Sequence, residues 1–171
     1  VAYPADELLQ RDACCALAHL SDDDARACTN ITRVGGLKAV ASAMRTFDSA
    51  LKLRRWGCAV LAHSLGVEEE DEPEQVTVRL ALERAETIIE SEGVGLLLAA
   101  LTNSPEDAAI QRDSCAALAA LAQYDEAQRK VIVSRSAVDA ALAAVSRHRA
   151  FPDVVADACL LMSTLMAEDP D

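Results

Sequence analysis

Cys15 and His19 stand four residues apart, a spacing that on a helix would let an imidazole draw a proton from a thiol. The residues around them, Ala13-Cys14-Cys15-Ala16-Leu17-Ala18, are apolar and would keep that thiol protonated, so burial explains this pair better than catalysis. The chain has three histidines, and His19 and His63 lie 44 residues apart with His148 further on, so they can share a site only across a groove. There is no Gly-rich phosphate loop, no G-x-S-x-G elbow and no H-E-x-x-H pair. The cysteines Cys14, Cys15, Cys28, Cys58, Cys115 and Cys159 form no C-x-x-C pair, and zinc needs clustered ligands. The expectation is therefore no enzyme, no metal and no cofactor, with packed, reduced thiols of the kind a cytoplasmic protein keeps. The alternative is an all-α enzyme or ligand-binding domain that uses a histidine-lined groove.

The elements that would carry these residues follow from composition. The chain has 171 residues, about one domain, of which 34 are Ala, 21 are Leu and only five are aromatic. Ala and Leu favour helices, while the β-branched and aromatic residues that suit strands are few. A mostly helical protein is expected. No apolar run is long enough to span a membrane, and the first residues lack the layout of a signal peptide. The chain begins with Val rather than Met, which suggests an excised piece. A net charge of −12 argues against nucleic acid, which is bound through basic stripes.

Most of that charge sits in one place. Residues 66–92 hold ten acids and two bases, with Glu68, Glu69, Glu70 and Asp71 in unbroken succession. Clustered like charges resist compaction, so this insert reads as a solvated spacer. The alternative is a docking site for a basic segment of a partner protein, steered by long-range attraction.

The cysteines mark an internal period. The segment Arg11–Leu20 aligns without a gap on Arg112–Leu121, differing only at Ala13/Ser114, Cys15/Ala116 and His19/Ala120. Segments around Cys58 and Cys159 fit the same frame, so Cys14, Cys58, Cys115 and Cys159 are separated by 44, 57 and 44 residues. Gly36, Gly93 and Ala137 each precede a marker cysteine by 22 residues, which places the 13 extra residues between Cys58 and Gly93. Each period divides into a first helix (24–33, 75–91, 125–134), a second (36–46, 93–103, 137–148) and a long third (50–65, 107–122, 153–167). An orphan third helix is expected at 5–20. The third helices are apolar on nearly every side and must be buried by neighbours on both flanks. Cys58, Cys115 and Cys159 should all be largely buried. Leu8, Leu9, Leu17 and Leu20 are more apolar surface than one flank can cover.

These residues resemble armadillo repeats. Val34-Gly35-Gly36-Leu37-Lys38-Ala39-Val40 is similar to that family's turn into its second helix, and Ala59–Leu65 and Ala116–Leu121 to the end of its third. The related HEAT repeats use two helices, and the Gly breaks favour armadillo. The resemblance covers about 11–167 and implies a right-handed α-solenoid in one domain, 1–171. Its parts are a partial repeat 5–20, a repeat 24–65, the acidic insert 66–75, and repeats 75–122 and 125–167. It further implies a non-enzymatic scaffold or adaptor that binds a protein partner, with self-association through exposed solenoid ends. Peptide-binding members grip a partner's backbone with an Asn in each third helix. Here those positions hold His19, His63, Ala120 and Thr164, and the accompanying Trp positions hold Cys15, Ala59, Ala116 and Leu160. The resemblance therefore does not extend to recognition of basic import signals. His19 and His63 are candidates to replace the Asn, or else to cap helix ends. Trp56, beside Arg54 and Arg55, is a candidate contact anchor, or an indole packed between helices.

Overall fold

The computed structural model describes residues 5–66, 74–134 and 136–167. Among them the chain is all-α, with ten helices and no strand. In order these are α1 (Glu7–Ser21), α2 (Ala25–Arg33), α3 (Gly36–Thr46), α4 (Leu51–Gly66) and α5 (Glu74–Glu90), followed by α6 (Gly93–Asn103), α7 (Ala108–Tyr124), α8 (Glu126–Ser134), α9 (Ala137–Arg147) and α10 (Pro152–Met166). None of them is long and apolar enough to cross a membrane.

Local chemistry sets the boundaries. The carboxylate of Asp6 accepts from the Leu9 amide at 3.0 Å, Asp24 from Ala27 at 2.8 Å, and Asp107 from Ala109 and Ile110 at 3.2 Å. Each satisfies donors that the first turn of a helix leaves unpaired. Pro152 opens α10, where its missing N–H costs nothing. The turns into α3, α6 and α9 pass through a left-handed residue: Gly35 at φ 81°, Glu92 at 63° and Ser136 at 59°. Glycine adopts that conformation freely; Glu and Ser do not.

The residue after each turn abuts the helix before it. A Cβ on Gly36 would lie 2.8 Å from the Ile31 carbonyl oxygen, and one on Gly93 the same distance from that of Ile88. Ile31 and Ile88 are buried, as is Ile132 at the same offset before Ala137. Of the 13-residue excess, eight residues fall in α5, which has 17 residues where α2 and α8 have nine.

The longest packing surfaces join α1 to α4, α4 to α7, and α7 to α10. α3, α6 and α9 follow one another alongside, with α3 on α6 and α6 on α9. The core runs along this series: Leu53, Leu61, Ile110, Leu118, Leu121 and Leu161 are all sealed from water. Burying such a side chain contributes roughly 1.5–3 kcal/mol.

Cys58 and Cys115 are buried as expected, but Cys159 is exposed. The reason is geometric. The matching faces of α4 and α7 are covered by the next long helix in the series, and among the described residues nothing covers that face of α10. Leu8, Leu9 and Leu20 are exposed at the opposite end, while Leu17 is half-buried.

Candidate functional site

The four long helices share one open face. Counting from each marker cysteine, the offset three residues before it brings Arg11, Arg55 and Arg112 into one row, ending at Ala156. The next offset holds Asp12, Trp56, Asp113 and Asp157. A row of small or apolar residues follows at Cys15, Ala59, Ala116 and Leu160. The last row is His19, His63, Ala120 and Thr164. These spacings of three or four residues keep the rows on one side of each helix. The result is an apolar row, exposed at Leu160, half-buried at Cys15 and Ala116 and buried at Ala59, bordered by Arg/Asp groups on one side and by the histidine row on the other.

His19 and His63 occupy the same row but have different partners. The His19 side chain is exposed, and its ring lies 5.3 Å from that of Trp56, tilted by 52°. Trp56 is half-buried against the core, so it both packs and offers one edge to this surface. The Nδ1–H of His63 donates to the Ala18 carbonyl at 3.1 Å, with Ser21 Oγ 3.3 Å away. His63 thus caps the end of the neighbouring helix α1 rather than that of its own. With Nδ1 committed, Nε2 lies 3.8 Å from the Asp22 carboxylate.

The Arg/Asp border was not singled out from the sequence, although Arg11-Asp12 and Arg112-Asp113 sit in the aligned segments and were the available signal. Arg112 bonds the nearly buried Asp113 at 2.7 Å, and Arg55 reaches across to Asp107 at 2.6 Å. Burial pushes the Asp113 carboxyl up, against the opposing pull of Arg112 and, more weakly, of His63. Asp157 is also raised, first by burial and then by the nearby Asp113, with Arg112 opposing.

Buried thiols offer little nucleophilic chemistry. Desolvation pushes Cys14 up to about 11 and both Cys58 and Cys115 up to about 12, so they stay protonated at neutral pH. All six cysteines are free. Among the described residues, no group of three or more His, Cys, Asp or Glu side chains could hold a metal ion. A cavity of about 440 Å³ lies where the start of α4 meets the turn into α7, but its main polar groups, Arg55 and Asp107, are already paired with each other.

The structure thus brings His19, Trp56 and His63 to one surface. Glu68, Glu69, Glu70 and Asp71 lie outside the described residues. No protein-family model, curated protein or solved structure matches the chain.

Proposed function

We propose that this chain is a non-enzymatic scaffold: an armadillo-type, right-handed α-solenoid that binds a segment of a partner protein along the open face of its long helices. The observation that carries this reading is the unbroken series α1–α4–α7–α10, which sets four rows of equivalent residues side by side on one surface. A partner strand lying across the series would meet Cys15, Ala116 and Leu160. His19, the free edge of Trp56 and Nε2 of His63 would meet its backbone, and Arg112 or Asp157 its polar side chains. Aromatic and Arg groups of this kind dominate binding energy at protein interfaces. The acidic insert adds a second means of attraction, through Glu68, Glu69, Glu70 and Asp71, toward a partner with a basic segment. We assign the protein to the cytoplasm on its six unpaired thiols, four of them buried.

The test is capture from a native extract by the wild-type chain, beside Ala116→Arg and His19→Ala. Ala116→Arg places a long cation in the middle of the row, where its stem can reach outward without disturbing the core. A polypeptide retained by the wild type and lost with Ala116→Arg, at unchanged circular dichroism, is the expected result. A binder indifferent to both substitutions would move the site off this face. Retention of a small molecule instead would turn the reading toward a ligand-binding domain.

A further inference from the structure

The two ends of the helix series expose opposite halves of one interface. In α4, Leu53, Gly57, Val60 and Ser64 form a single buried face on a helix that packs on α1 and α3, and the same offsets are buried in α7 and α10. In α1 those offsets are Leu9, Ala13, Ala16 and Leu20, and all four are exposed, Leu20 by 60%. The partner face, formed by the marker cysteine and the residues four and seven beyond it, is buried in α1, α4 and α7. In α10 it is Cys159, Ser163 and Met166, and all three are exposed, Met166 by 72%. Leu142 extends this bare surface onto α9; the equivalent Ala41 and Leu98 are buried. Exposure of Leu8 is different, because Lys52 and Asp153 at its offset are exposed too.

We infer that the α10 face of one copy of this chain docks the α1 face of a second copy, repeating between molecules the contact that α1, α4, α7 and α10 make within one. The occupant is a second copy because the chain itself carries both halves, and equivalent helices already pack on one another three times within it. Cys159 would then meet Ala13 of the next copy as Cys58 meets Ser114, whose Oγ is 3.6 Å from the thiol. Such a contact uses two different surfaces, so it propagates head to tail instead of closing as a symmetric dimer. It joins the open faces of successive copies into one longer surface. The inference rests on the helix packing and not on what the open face binds.

The test is sedimentation of the 171-residue chain over a concentration series up to about 1 mM, with Leu20→Arg, Met166→Arg and an equimolar mixture of the two. Both positions are exposed, so each variant is expected to keep the wild-type helix content. The wild type should form concentration-dependent chains. Each variant alone should be monomeric, its dissociation constant raised by about 100-fold or more by a charge left unpaired in the seam. The mixture should give dimers and nothing larger, because each variant keeps the half that the other has lost. Ala13→Cys should add a cross-linked ladder under oxidised glutathione that Cys159→Ser abolishes. A wild type that stays monomeric overturns the inference and leaves both faces to a different polypeptide. Assembly that survives Leu20→Arg, or a mixture that stays monomeric beside an assembling wild type, overturns it as well.

Discussion

The hydroxyl of Ser114 lies 3.6 Å from the thiol of Cys58, and both side chains are sealed between α4 and α7. The same offset holds a small, buried residue in α4 and α10 as well, Gly57 and Ala158, and a Cβ on Gly57 would already lie 2.5 Å from the Met44 sulfur. Close-packed interiors leave no room for a larger group there.

Ser114→Leu is therefore expected to lower stability by ~1–3 kcal/mol, from overpacking. Ala13→Leu, at the same offset on the bare face of α1, should change it by no more than ~0.5 kcal/mol at concentrations where the chain is monomeric. Urea unfolding of the two variants checks the contrast. Equal effects would mean that the seam is not the constraint.

The left-handed turns offer a gain in stability. Glu92 holds a conformation that costs a non-glycine residue ~1 kcal/mol, and its ion pair with Arg45 is exposed and contributes little. Glu92→Gly is expected to raise the melting temperature by a few degrees, and Gly35→Ala to lower it. Calorimetry decides both signs.

Thiol labelling should follow burial. At neutral pH a maleimide is expected to modify Cys159 first and the half-buried Cys15 more slowly. Cys14, Cys58 and Cys115 should react only after unfolding, because they are both covered and protonated. Peptide mass mapping over time reads the order, and early labelling of Cys58 would contradict the packing described.

The pH dependence has a definite sign. Asp157 binds its proton more tightly in the folded than in the unfolded chain, because burial raises it. It therefore favours folding below the ordinary carboxylate range, and that contribution is lost as pH rises through its raised folded-state value. Asp157→Asn is expected to melt above the wild type at neutral pH, with the gap closing as pH falls toward ~4. A gap that widens in acid would reverse the assignment.

Helix content and helix boundaries were legible along the chain, because they depend on local chemistry. The spacings 44, 57 and 44 aligned the marker cysteines, and Gly36, Gly93 and Ala137 marked the turns, so the ten expected helices agree with those observed to within two residues at each end. What each side chain faces was not legible, because that depends on neighbours distant in sequence. Cys14, Cys58, Cys115 and Cys159 share one local context, yet only Cys159 is exposed. His19 and His63 share one row, yet one ring meets Trp56 and the other caps α1. The lengthened first helix expected over 75–91 is observed as α5, within one residue at each end. Periodicity is written into adjacent residues and can be read from them. Burial is a property of two surfaces in contact, and the second surface is placed only when the helices pack.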